Sequence, residues 1–179
     1  EDTREEWAGV TQRAMSCLMT GGGIGVDVSV ARPSGRQLKR TGGVASGPLP
    51  LLYTLNEVGR NVMQGGSRRS ALYGSMNWQH EDANNLLTAK NWHDMKVGDT
   101  TLAKLKQADF NFPAPLDMMN VSLNYDDAWL HSTGRSIDPV FLRNVRQAMM
   151  TGEPGFSFNF GEKQNETLRN ACTEITSED

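Results

Sequence analysis

Two hydrophobic periods take turns along this 179-residue chain, and that alternation limits it to folds in which helices cross over between strands. Residues 3 to 20 read as a helix. Thr3 with Glu6 makes a capping box, and Trp7, Val10, Ala14, Cys17 and Leu18 recur on one face. Gly21-Gly22-Gly23 supplies a left-handed exit. Ile24, Val26, Val28 and Val30 then alternate with Gly25, Asp27 and Ser29, the period of a strand. A second helix from about Pro50 to Met63 buries Leu52, Leu55, Val58 and Val62. A strand near 71–78 leads to a polar helix around 81–90, and a Lys-rich helical stretch follows near 100–108. Pro113 and Pro115 mark a turn before a strand on Val121, Leu123 and Tyr125. Asp138-Pro139 opens a helix whose apolar face is Val140, Phe141, Val145 and Met149. Thr151 to Gly155 stops it, and Phe156, Phe158 and Phe160 alternate as a last strand. The fold class is α/β. No repeat, low-complexity tract or internal linker interrupts it, so residues 1–179 read as one domain.

Composition excludes several classes of function. The apolar content of 37% suffices for one core. A net charge of −3 with interspersed cations argues against a nucleic-acid partner. No apolar run approaches a bilayer span and no signal peptide opens the chain, so no membrane is expected. Two cysteines, Cys17 and Cys172, make no disulfide framework, which points to a reducing, cytoplasmic setting. The sequons Asn120-Val121-Ser122 and Asn165-Glu166-Thr167 are then chance matches. The chain starts at Glu1 rather than Met and stops five residues after Glu174, as a piece of a longer protein would.

Two loops could carry ligands. Residues 31–47 are rich in Gly, Ser and cations, and Arg32, Arg36, Lys39 and Arg40 are available to an anion; the plainer reading is a solvated loop. Gln64-Gly65-Gly66-Ser67-Arg68-Arg69 sets backbone amides beside two guanidinium groups, which suits a phosphate or a base edge. It is neither a Walker loop nor a dinucleotide fingerprint. His80, Glu81, Asp82, His93 and Asp94 lack the i, i+4 histidine pair that would hold a metal on one helical face, and no metal is expected. Cys17 lies on an apolar stripe and reads as a structural thiol.

Near the end stands Asn170-Ala171-Cys172-Thr173-Glu174. Amide, thiol and carboxylate occupy alternate positions, so an extended segment presents all three on one side. Such a set can run radical or nucleophilic sulfur chemistry while the carboxylate moves a proton. An isolated N-x-C-x-E is weak by itself, because most lone cysteines are small buried hydrophobes.

In shared order, Gly-Gly-Ile-Gly at 22–25, Gln64-Gly-Gly-Ser-Arg68, Gly152-Glu-Pro-Gly155 and Asn170-x-Cys172-x-Glu174 resemble the catalytic subunit of ribonucleotide reductase. The resemblance implies a ten-stranded α/β barrel with a finger loop through its centre, of which this chain is the first half. It implies that Cys172 becomes a thiyl radical and takes the 3′ hydrogen of a ribonucleotide substrate. Glu174 would accept the 3′-hydroxyl proton, Asn170 would hold the sugar, and Gly23 would let backbone approach the substrate. A deoxynucleotide or ATP effector would place its sugar on Asp2 and its phosphates on cations near Arg32. Gln64 and Arg68 would carry effector identity to the substrate base. Arg32-Pro33, Lys39 to Gly43 and Gly152 to Phe156 are most similar to the adenosylcobalamin-dependent class.

The resemblance also implies what is missing. The family's reducing cysteine pair falls before Glu1 and beyond Asp179, and Cys17 replaces neither. An external dithiol of thioredoxin-like type and the C-terminal half of the same enzyme would be the partners, and the fragment alone should not turn over. Three alternatives stay open: the class that receives its radical from a separate metal subunit, a non-catalytic nucleotide-binding fragment, and an ordinary α/β domain with a chance motif.

Overall fold

The computed structural model describes residues 2–38, 42–62, 70–132 and 138–162, with the backbone alone at 168–169 and 176–177. Helix α1 (Arg4–Met19) starts where Thr3 Oγ1 accepts from the Glu6 amide at 3.1 Å. It ends at Thr20, and Gly21 takes the left-handed conformation at φ 83°. Strand β1 (Gly23–Asp27) follows, then α2 (Leu49–Asn61) and β2 (Ala71–Asn77). A short helix α3 (Ala83–Thr88), the small antiparallel pair β3 (Lys96–Val97) and β4 (Thr100–Thr101), and α4 (Leu102–Ala108) lead to β5 (Met119–Tyr125). Helices α5 (Asp127–Ser132) and α6 (Pro139–Thr151) precede β6 (Gly155–Phe158). Asp138 caps α6, its Oδ1 accepting from Val140 N at 2.7 Å and Phe141 N at 3.0 Å. Backbone pairs β7 (Leu168–Arg169) with β8 (Thr176–Ser177), antiparallel, and β7 lies beside β1.

The main sheet has four parallel strands in the order β1-β2-β5-β6. Spatial order follows chain order, so every crossover steps the same way. Right-handed crossovers that all step one way put their helices on one face. An open doubly wound sheet reverses direction at a switch point; this one does not. It is a segment of an α/β barrel wall.

The helix-facing side carries the core. Leu72 and Met76 of β2, and Met119, Val121, Leu123 and Tyr125 of β5, are buried against Leu51, Leu52 and Leu55 of α2 and Leu86 and Leu87 of α3. Gly74 makes room for α2, because a Cβ there would sit 3.0 Å from Leu52. At the β6 edge, Tyr125, Trp129, Phe141, Phe156 and Phe158 make an aromatic cluster with centroids 4.9 to 6.2 Å apart.

Some expectations change. The strand read through Val30 stops at Asp27, because Asp27 Oδ1 accepts from Ser29 N at 2.7 Å and turns the chain. Val30 is then 72% exposed. On α6, Met149 is 85% exposed and the buried positions are Asn144 and Gln147. Asn144 is a junction: its Oδ1 accepts from Tyr125 Oη at 3.0 Å and its Nδ2 donates to Pro154 O at 2.7 Å. Phe160 lies past the end of β6 but still stacks on Trp129 at 6.3 Å. No helix among the described residues is long and apolar enough to cross a membrane.

Candidate functional site

The second face of the sheet is built differently. Parallel register sets Gly25 beside Tyr73, Asp27 beside Ser75, Ser75 beside Ser122, and Asn77 beside Asn124. Gly155 and Ser157 continue the rows on β6. Residues paired in parallel register share a face, so this face is made of glycine, hydroxyl, amide and carboxylate groups. Parallel sheets are normally apolar on both sides, and a polar side needs a use. Gly155 gives Ser122 its space, since a Cβ there would meet Ser122 Oγ at 2.8 Å.

At the carboxyl ends of the strands the polar groups form a network. Asn124 Nδ2 donates to Asp27 Oδ2 at 2.5 Å and to Ser75 Oγ at 3.1 Å, and Ser75 Oγ donates to Asp27 Oδ2 at 3.3 Å. Beside it, Asp126 accepts from Asn77 Nδ2 at 2.8 Å, Trp78 Nε1 at 3.0 Å and Trp129 N at 3.1 Å. Burial alone would raise the Asp126 carboxyl, but these donors hold it below the usual carboxylate range. Tyr73 Oη and Asn124 Oδ1 are buried without a hydrogen-bond partner among the described residues. Orphaned polar atoms of this kind are rare in folded chains.

Gly23 opens β1 on this same face and is exposed. The steric demand for glycine in the turn falls one residue earlier. A Cβ on Gly22 would lie 2.6 Å from Cys17 Sγ, which itself donates to Gly23 O at 3.6 Å. Asn170, Cys172 and Glu174 lie outside the described residues, as do Gln64, Arg68 and Lys39 to Thr41. The flanking strands β7 and β8 are described, and they bracket residues 170–175 in sequence.

Asp2 and Arg32 come together away from the sheet face. Asp2 Oδ2 accepts from Arg32 N at 3.0 Å and from Arg32 Nε, Arg32 Nη2 donates to Asp2 O at 2.9 Å, and Trp7 Nε1 donates to Asp2 Oδ1 at 3.2 Å. Burial works to raise the Asp2 carboxyl, and the Arg32 bonds overcome it and hold it low. Both residues line a cavity of about 500 Å³ between the start of α1 and the 31–47 loop. The loop is folded back on itself by Gly35 N to Ala45 O and Ala45 N to Arg36 O, each 2.8 Å. Of the four cations read as available to an anion, the two among the described residues are engaged within the chain: Arg32 holds Asp2, and Arg36 pairs with Glu81 at 3.3 Å.

Other residues weighed in the sequence have structural occupations. His80 Nε2 contacts Ala31 O at 2.8 Å and its Nδ1 accepts from Asp82 N at 3.0 Å, so both ring nitrogens serve the backbone. In the first sequon Asn120 is exposed and Ser122 is buried within β5. The sequence reading missed Asp27, Ser75 and Asn124. The signal was there as polar residues at alternate strand positions, which also describes a solvated face.

The sequence profile described as "Ribonucleotide reductase, barrel domain" matches residues 1–133. The chain belongs to the ribonucleotide reductase barrel-domain family. It is similar to two proteins named vitamin B12-dependent ribonucleoside-diphosphate reductase. The one from Thermoplasma acidophilum is 35% identical, over 78% of this chain and 18% of that protein. The one from Mycobacterium tuberculosis is 28% identical, over 76% and 17%. This chain thus spans less than a fifth of either relative's length. Its fold resembles the class Id ribonucleotide reductase alpha subunit of Actinobacillus ureae with a TM-score of 0.63 and 18% identity, covering 88% of this chain and 25% of that one. That likeness concerns the fold alone.

Proposed function

We propose that this chain is the substrate-bearing first half of the barrel of an adenosylcobalamin-dependent ribonucleotide reductase, acting in the cytoplasm on a ribonucleotide. The observation that carries the reading is the polar sheet face, with Gly23 at its edge and β7 beside β1. In this reading the face receives the sugar, and the backbone of Gly23 lies against it without a side chain between. Asn170 holds the sugar hydroxyls. Cys172, as a thiyl, takes the 3′ hydrogen, and Glu174 accepts the 3′-hydroxyl proton so that the 2′-hydroxyl can leave as water. An external dithiol of thioredoxin-like type restores the reducing equivalents.

A deoxynucleotide or ATP effector is assigned to the cavity at Asp2 and Arg32, and Gln64 and Arg68 relay its identity to the substrate base. Adenosylcobalamin supplies the first radical in enzymes of this class. No seat for it is assigned among the described residues, and no step is drawn through it.

The test is the parent enzyme, assayed alone with ribonucleotide and dithiol, with and without adenosylcobalamin. Deoxynucleotide formed only with the cofactor supports the proposal. Activity that appears only on adding a separate iron or manganese subunit transfers the chain to the other class. Nucleotide binding without reduction under any condition leaves a regulatory fragment.

A further inference from the structure

In the free chain Arg32 and Asp2, the two groups assigned to opposite ends of one effector, are bonded to each other. We infer that this pair is a two-point gate: it holds free phosphate-type anions off the cavity and yields to a ligand that carries both a sugar hydroxyl and a phosphate chain. The inference rests on the effector reading above and concerns how that site selects its ligand.

The geometry distinguishes an anchored partner from an exchangeable one. The Asp2 carboxylate has three sources of hydrogen bonds: Trp7 Nε1 at 3.2 Å on Oδ1, and Arg32 N at 3.0 Å and the Arg32 guanidinium on Oδ2. Two of them, an indole N–H on α1 and a main-chain N–H, cannot swing away. If the guanidinium leaves, the carboxylate stays in place. The guanidinium sits on a long side chain that is 45% exposed, at the rim of a cavity of about 500 Å³. It can turn toward a phosphate, and its forked donors suit one.

The electrostatics set the direction of selection. A bare polyphosphate meets a guanidinium already neutralised by a carboxylate, and approaching it means approaching that carboxylate too. A nucleotide differs at its sugar. With Trp7 as the one donor on Oδ1 among the described residues, a carboxylate oxygen that has room for a second, a sugar hydroxyl can donate there. That bond draws charge from the Asp2–Arg32 contact as the phosphates arrive to replace it on Arg32. Both ends are needed for the exchange to break even, so the pair discriminates against ligands that supply only one.

The test uses the parent enzyme and three probes: inorganic tripolyphosphate, a deoxynucleoside triphosphate, and the matching deoxynucleoside, titrated by calorimetry. The wild type should bind the triphosphate nucleotide far more tightly than tripolyphosphate. Asp2→Asn keeps the shape and removes the charge. It should bind tripolyphosphate about two- to five-fold more tightly, the range of a half-exposed ion pair, while binding the nucleotide more weakly. A second readout needs no variant: the Arg32 Nε–H resonance should shift when the nucleotide is added. Nucleotide binding with tripolyphosphate affinity unchanged or lowered in Asp2→Asn, or with an unmoved Arg32 resonance, overturns the gate and leaves the effector site standing. Failure of the wild type to bind the nucleotide at all removes the effector reading and the gate with it.

Discussion

Asn124 Nδ2 donates to Asp27 Oδ2 at 2.5 Å, joining residues that lie 97 apart in sequence. The bond spans the carboxyl ends of β5 and β1, with Ser75 of β2 between them. It also fixes which way the Asn124 amide faces, since the opposite orientation would set a carbonyl oxygen against a carboxylate. The polar face is therefore held in one arrangement before any ligand arrives.

Asn124→Leu should remove a charge-assisted hydrogen bond from a buried site and cost about 1.5–3 kcal/mol. Urea unfolding of the chain measures it. Asn124→Asp, which opposes two carboxylates, should cost more than Asn124→Leu at neutral pH. An unchanged midpoint in both would show that the network does not organise the face.

A second buried charge cluster lies under the chain that leads into β5. The Asp117 side chain is fully buried and accepts from Arg60, from Lys106 Nζ at 2.6 Å and from Asn56 Nδ2 at 3.3 Å. Asp117→Ala leaves Lys106 without its counter-charge and Arg60 with Glu57 alone, and should cost about 3 kcal/mol. Burial by itself would raise this carboxyl, but the Arg60, Lys106 and Asn56 bonds outweigh it and the folded pKa is lowered. A lowered folded pKa means that the stabilisation is fully present above the unfolded value, about 3.9, and is lost as pH falls through the folded one. Wild-type stability should accordingly drop below about pH 4, more steeply than that of Asp117→Asn. Parallel acid limbs would contradict the assignment.

Gly22 and Cys17 should be coupled. Gly22→Ala puts a methyl 2.6 Å from Cys17 Sγ and 3.3 Å from Cys17 O, an overpacking that costs about 1–3 kcal/mol. Cys17→Ala removes the nearer obstacle, so the double variant should recover part of the loss. A strictly additive double-mutant cycle would mean that the turn moves instead.

How much of this was legible in the chain follows the range of the interactions. The caps at Thr3 and Asp138, the exit at Gly21 and the apolar rows of α2 and β5 depend on neighbours a few residues away, and the sequence reading found them. The early end of β1 was not legible, because Asp27 looks like one more polar residue in an alternating strand until its side chain is seen capping Ser29. Asp27, Ser75 and Asn124 become a group only through the register of three parallel strands. Met149 was read as core from its helical spacing, but α6 turns Asn144 and Gln147 inward, and Asn144 holds Tyr125 and the chain ahead of β6. Arg32 and Asp2 were both named, as contacts to a ligand, and their bond to each other needed the fold.

The central claim is that the chain contributes the radical-bearing thiol of a ribonucleotide reductase, and Cys172→Ser in the parent enzyme tests it most directly. Ribonucleotide reduction should be abolished, because an O–H bond is far harder to convert to a radical than an S–H bond, while Cys17→Ser should retain most of the activity. Equal loss from both substitutions, or full activity in Cys172→Ser, would contradict the account.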